Sequence, residues 1–340
     1  MYDFYSDTKT KPTAAMRKTV LTAEVGDEQE GEDPTTTALC ARVADLLGKD
    51  GAVFLPSGTM CNEIAIRVHI RPGEEVICER SCHIVNFEGG APAVLSGAMI
   101  KALDGDRGTL QPGQLKSAIS TGSRYTPRSR MLCVEQTANM AGGAVWPLDQ
   151  IRAVCTVAKD AGLATHMDGA RLMNAVVQSG RSASEWCAGY DSCWIDFSKG
   201  LGAPVGAVLA GSHDFIDHAW AVKQQLGGAM RQSGILAAMC LQALDHHVER
   251  LADDHALAKS ISERICKLSK VKHMLPVDTN IVIFDLADDG PDASDLVRLC
   301  KNDGVAIGAF GERRVRVVTH LDVDRHAGDA LCASLAHHLS

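Results

Sequence analysis

Positive charge is in short supply in this chain. Its 34 lysines and arginines face 42 aspartates and glutamates, a formal net charge of −8. That balance argues against a nucleic-acid or anionic-membrane partner, since either needs a basic footprint. No uninterrupted apolar run approaches the about 20 residues of a membrane span. Internal repeats and low-complexity stretches are missing too. The first residues, Met1 to Asp7, carry neither a basic lead nor an apolar stretch, so no export signal is expected and the expected compartment is the cytoplasm. Cys78, Cys82 and His83 stand close together but lack a second cysteine pair. The spacing is not that of a closed zinc site, and no metal is expected. Cys133, Cys155, Cys193, Cys240 and Cys300 lie inside apolar periodic segments, where a thiol behaves as a small hydrophobe.

What is present is the pattern of an α/β protein. At 340 residues, with 46% hydrophobic and 22% charged side chains, the chain can form one large domain and a smaller one. Strands and helices alternate, the signature of a mostly parallel sheet covered on both faces. Strands are predicted at 52–55, 75–78, 131–134, 163–167 and 192–197. Another at 205–209 follows too closely for a crossover helix and is predicted to be antiparallel. Met60 to His69 has helical spacing. Asp149 is placed to cap the helix that Gly162 stops. From about Gln232 a long helix is predicted, running to about Leu268. Strand 280–285, helix 292–301 and strand 314–318 follow as a compact α+β unit. The expected division is 1–248, with the N-terminal arm and the large domain, and 249–340, the small domain. The first 35 or so residues read as extended and polar, wrapping onto the rest.

Two strand ends carry the chemistry. Asp168 closes the strand Leu163–Met167, and Lys199 follows Ser192–Phe197 in a glycine-rich turn. One amine and one carboxylate at the carboxyl ends of neighbouring strands suit pyridoxal phosphate. The lysine can hold the coenzyme aldehyde, and the carboxylate keeps the pyridine nitrogen protonated. Gly200, Gly202 and Gly206 allow the backbone to approach a ligand. Each residue has a plainer reading as well. Asp168 could cap the next helix and pair with Arg171 at the surface; Lys199 could be solvated. Ser57-Gly58-Thr59, between a strand and a helix, offers backbone N–H groups and a dipole to a phosphate, yet equally suits a simple cap. His83, at the end of the second strand, could pack in the core or stack on an aromatic cofactor. Arg314 and Arg316 share one strand face, as a guarded edge or as a clamp for a carboxylate.

These residues sit within a wider likeness. Ser6-Asp7-Thr8, Gly31-Glu32-Asp33-Pro34, Pro56-Ser57-Gly58-Thr59-Met60, Asp168-Gly169-Ala170-Arg171-Leu172, Ser198 to Gly206, Leu226 to Gln232 and Val318-Thr319-His320 occur in order. Together they resemble the low-specificity L-threonine aldolases over nearly the whole chain. The resemblance implies an α/β architecture of fold type I, with a large domain built on a mostly parallel seven-stranded sheet and a small C-terminal α+β domain. It implies pyridoxal 5'-phosphate as cofactor and retro-aldol cleavage of a small β-hydroxy-α-amino acid to glycine and an aldehyde. It implies Lys199, His83 and Asp168 as catalytic, and Ser57, Gly58, Thr59 and Arg171 on the cofactor. Ser6, Arg171 and Arg316 would hold the substrate carboxylate. Lys223 and Arg231 would reach the phosphate region from a neighbouring subunit of a homo-oligomer, dimer or tetramer, with shared active sites.

The family pattern breaks in a few places. Ala138 stands where the family has a histidine thought to grip the β-hydroxyl, and Glu30 where it has a tyrosine. Val85-Asn86-Phe87 replaces Tyr-Arg-Tyr, and Lys9 replaces a common valine. These changes cluster at the expected substrate mouth. They open an alternative, an aldolase for a bulkier substrate of the phenylserine type. Another lyase or aminotransferase reaction on the same scaffold is a further one.

Overall fold

A computed structural model describes all 340 residues. The arm begins with β1 (Tyr2–Asp3). Seven strands then build the main sheet: β2 (Gly51–Leu55), β3 (Glu75–Glu79), β4 (Met99–Leu103), β5 (Ser129–Glu135), β6 (Ala164–Asp168), β7 (Ser192–Asp196) and β8 (Ala207–Gly211). Their spatial order is β2-β8-β7-β6-β5-β3-β4. β3 to β7 pair in parallel with their neighbours, while β8 runs antiparallel to both β7 and β2. The short link from β7 to β8 leaves no room for a crossover helix, so the chain must turn back. Helices cover both faces, and β3 and β7 are buried along their whole lengths, as parallel strands require.

The C-terminal unit holds β9 (Val271–Met274), β10 (Ile281–Leu286), β11 (Val305–Ala306), β12 (Gly308–Ala309) and β13 (Arg314–Val318). Its four-stranded sheet runs β12-β13-β10-β9, antiparallel throughout. β13 is therefore internal rather than a guarded edge. Arg314 lies opposite Asp285 and forms a two-pronged ion pair with it at 2.7 and 2.8 Å, whereas Arg316 is buried. The helix expected across residue 248 is two helices, Gly234–His246 and Leu251–Ile265. The second spans two cores, with Leu251 in that of the main sheet and Ala258, Ile261 and Ile265 in that of the C-terminal unit.

The arm is less extended than its polarity suggests. Thr13 caps a short helix, Ala14–Thr19, by accepting from the Met16 amide at 3.2 Å, and Met16 is buried in the main core. Upstream, β1 pairs in parallel with β11, and Phe4 fills the C-terminal core. Asp149 sits in the first turn of helix Leu148–Asp160 and not at its cap, which Pro147 occupies. His83 also differs from expectation. β3 stops at Glu79, and His83 opens a one-turn helix, His83–Asn86.

Candidate active site

At the carboxyl edge of the sheet an open cavity brings together Lys199, Asp168, His83 and the Ser57-Gly58-Thr59 turn, with Thr8 of the arm. Helix Gly58–His69 starts here. Ser57 caps it, its hydroxyl accepting from the Met60 amide at 3.2 Å. The first-turn amides of Gly58 and Thr59 have no acceptor inside the helix and present the positive end of its dipole. Gly58 is required at this point. A Cβ there would lie 2.2 Å from the Trp194 ring, so any larger residue would displace the indole that floors the cavity.

The Lys199 amine is loosely held. Its ion partner, Asp196, is 3.5 Å away, and Asp196 itself is engaged by the Ser198 amide and hydroxyl at 2.6 and 2.7 Å. The glycines after Lys199 serve the chain rather than a ligand. A Cβ on Gly206, at φ +120°, would meet Phe54, and one on Gly202, at φ +79°, would meet Thr10.

Behind Asp168 stands a residue with no sequence signal, Asn62. Trp194 Nε1, which can only donate, lies 2.8 Å from Asn62 Oδ1, so the amide orientation is fixed. Asn62 Nδ2 then donates to Asp168 Oδ2 at 2.8 Å and to Glu88 Oε1 at 2.7 Å. His166 Nε2 lies 3.1 Å from the same Asn62 oxygen. Burial pushes the His166 pKa down to about 3, so its ring is neutral and must donate from that nitrogen. Glu88 Oε1 also contacts His83 Nδ1 at 2.7 Å. Burial disfavours the His83 imidazolium, but Glu88 and Asp168 outweigh it and raise the pKa above the ordinary value, against Lys199. Glu135, at the end of β5, accepts from the His83 and Asn139 amides at 2.6 and 2.8 Å. Burial, aided by Asp168, pushes its pKa up to about 7.

A second cluster adjoins the cavity and centres on Asp7. Arg171 donates Nε and Nη2 to its two oxygens, each at 2.7 Å, and Asn280 adds a bond at 3.2 Å. Burial opposes the Asp7 charge, but Arg171, Lys199 and Asn280 hold its pKa well below the usual carboxylate range. Ser6 caps the turn Asp7–Lys9 by accepting from the Thr8 amide at 3.2 Å. Arg316 donates to Asn139 Oδ1 at 2.8 Å and to the Tyr5 carbonyl at 3.2 Å, and stacks over Phe310. It has no carboxylate partner, and its Nε is buried without an acceptor. Burial and the neighbouring Arg171 push its pKa down to about 10. An anion is what this guanidinium lacks.

Lys223 and Arg231 stand apart from both clusters. The Lys223 side chain is 0% exposed; its ammonium sits on Glu28 and 4.0 Å from the centre of the Trp220 ring. Burial lowers its pKa against the pull of Glu28. Arg231 extends at the surface to Asp27, 2.7 Å away. A reach across a subunit boundary, which the family likeness implied for both, would require Lys223 to leave this buried pair.

The residues at the expected mouth fall into two groups. Val85 and Phe87 are exposed, and the Phe87 ring lies 5.5 Å from that of His83. Ala138 does not open a space. It is 3% exposed, and a Cβ on Gly108 would lie 2.5 Å from its own Cβ.

The donor set fits pyridoxal phosphate: an amine, an anion for the ring nitrogen, an imidazole beside the ring site, and a helix N-terminus for the phosphate. Comparison with known proteins points the same way. The beta-eliminating lyase family matches residues 3–289. A probable low-specificity L-threonine aldolase of Arabidopsis thaliana is 37% identical over 94% of this chain and 91% of its own length. A low specificity L-threonine aldolase of Escherichia coli K12 is 38% identical over 96% and 95%. Among solved structures, a threonine aldolase of Leishmania major superposes with a TM-score of 0.85 at 19% identity, covering all of both chains. A serine palmitoyltransferase of Sphingomonas wittichii gives 0.77 at 16% identity, covering 99% and 86%.

Proposed function

The chain belongs to the beta-eliminating lyase family, among the low-specificity L-threonine aldolases, and on that premise we propose that it is a pyridoxal phosphate-dependent carbon–carbon lyase. It cleaves L-threonine, L-allo-threonine or a close β-hydroxy-α-amino acid to glycine and an aldehyde. The observation that carries this reading is the single cavity uniting Lys199, Asp168 and His83 with the start of helix Gly58–His69.

Pyridoxal phosphate, when bound, supplies an electron-poor ring that accepts the electrons of the Cα–Cβ bond. Lys199 is the amine that holds it, and the Gly58 and Thr59 amides, with Ser57, hold its phosphate. Asp168, fixed by Asn62 and by the Ala170 amide at 3.0 Å, keeps a proton on the ring nitrogen. Arg316 takes the substrate carboxylate, aided by Ser6. Arg171 spends two of its N–H groups on Asp7 and has one nitrogen left for the ring hydroxyl. His83 takes the β-hydroxyl proton, directly or through water. Positioned proton transfer of this kind contributes about 10²–10⁴ in rate.

Glycine release from L-threonine, L-allo-threonine and phenylserine tests the proposal. Glycine with a matching yield of aldehyde is the expected result; a keto acid or ammonia would refute it. Phenylserine is in the panel because the exposed Phe87 ring beside His83 could meet an aromatic substituent. A homo-oligomer in the cytoplasm completes the proposal. No helix is long and apolar enough to cross a membrane, and all twelve cysteines are free, which suits a reducing compartment. Native mass measurement distinguishes one chain from two or four.

A further inference from the structure

One group of buried side chains is left over after these roles are assigned. Glu63 lies on helix Gly58–His69, next to Asn62, and is 2% exposed. Neither of its carboxyl oxygens has a hydrogen-bond partner, and Glu88 Oε2 has none either. Three buried acceptor atoms with no donor between them are untenable as two carboxylates, since each would lose water and gain nothing. The two carboxyl groups lie within hydrogen-bonding reach of each other once one is protonated. A single proton between them satisfies both orphaned ends.

We infer that Glu63 and Glu88 share one proton behind the imidazole of His83, with Glu63 as its holder, and that Glu63 is thereby a positioning residue for the histidine. Two features assign the proton to Glu63. Glu88 Oε1 already receives two donors, Asn62 Nδ2 and His83 Nδ1, each at 2.7 Å, which favours the ionised form of Glu88. Glu63 has no donor at all. Its burial, with Glu88 as like-charged neighbour, pushes its pKa up to about 9.

The consequence falls on His83. An anionic Glu88 fixes the ring through Nδ1 and leaves Nε2 for chemistry. The groups facing this network are Asp168 at the end of β6, Glu135 at the end of β5, and Lys199 beyond β7. No cation offsets burial and Glu88 at Glu63, so it is the carboxyl group that stays neutral. Without its proton, Glu88 would have to take one up, and the charge-assisted bond to His83 would weaken.

This inference concerns the polypeptide itself and can fail while the aldolase assignment stands. Infrared spectroscopy of the full chain, with and without added coenzyme, reads the carbonyl stretch of an un-ionised carboxylic acid. At a pH between the values of about 7 for Glu135 and about 9 for Glu63, the parent protein should show that band. Glu63→Gln should abolish it and Glu135→Gln should leave it. A missing band, or one that survives Glu63→Gln, overturns the inference. Activity gives the second arm. The glutamine amide still donates to Glu88, so Glu63→Gln should keep kcat/KM near that of the parent. Glu63→Leu should lower it on the order of tenfold to a hundredfold. Equal losses in the two variants would mean that the donated hydrogen bond is irrelevant.

Discussion

Replacing Asp7 by asparagine removes one charge from the best-formed buried ion pair in the molecule. Arg171 is 5% exposed in its side chain and Asp7 0%, and two bonds of 2.7 Å join them. Breaking such a pair from one side leaves an uncompensated buried charge, at a cost of about 3–5 kcal/mol. The amide oxygen can keep one of the two bonds, so the lower end, about 3 kcal/mol, is expected; this is more than a hundredfold in the unfolding constant. Because Asp7 also binds Asn280 and follows β1, the loss loosens the junction of arm, main sheet and C-terminal unit. Urea denaturation of parent and variant, followed by tryptophan fluorescence, measures the gap. The pH dependence carries a sign. The folded pKa of Asp7 lies below its ordinary 3.8, so this stabilisation is present above that value and lost as pH falls through the folded one. Parent and variant should therefore converge in acid. A gap under about 1 kcal/mol at neutral pH would refute the role given to the pair, as would a gap unchanged in acid.

Three other substitutions probe the site. Ala138→His introduces the side chain that the family resemblance leads one to expect there, but here it meets the Gly108 loop at close range; it should cost about 1–3 kcal/mol by overpacking, and a neutral denaturation midpoint would contradict that. Gly58→Ala drives a methyl into the Trp194 ring and should speed coenzyme loss on dialysis while leaving the far-ultraviolet circular dichroism unchanged. In the pH profile of kcat/KM, activity should rise as His83 loses its proton, with a midpoint above the ordinary histidine value of 6.5. Glu88→Gln removes the partner that favours the imidazolium, so this limb should move to lower pH; a shift to higher pH would overturn the pairing.

The strand ends were legible because their chemistry and periodicity coincide. Asp168 and Lys199 each follow an apolar run, and parallel strands deliver such residues to one edge. The antiparallel β8 was legible from the brevity of the link before it. Asn62, Glu63 and Glu88 were not. The helix that holds the first two reads as an ordinary amphipathic segment, with Cys61, Ile64 and Ala65 facing the core. Packing of that helix against the sheet and against helices Ala91–Ser96 and His213–Gln225 brings the intervening polar side chains inside. Asp7 belongs to a motif of the arm, yet nothing in the arm's sequence says that its carboxylate crosses to Arg171. Ala138 shows the same limit: a small residue leaves room only where its neighbours stand back, and here the turn at Gly108 packs against it.

Reduction with borohydride after incubation with pyridoxal phosphate, followed by peptide mapping, bears most directly on the whole account. A phosphopyridoxyl adduct confined to the peptide containing Lys199, and absent in Lys199→Ala, is the result it predicts. No adduct, or one carried by another lysine, would contradict it.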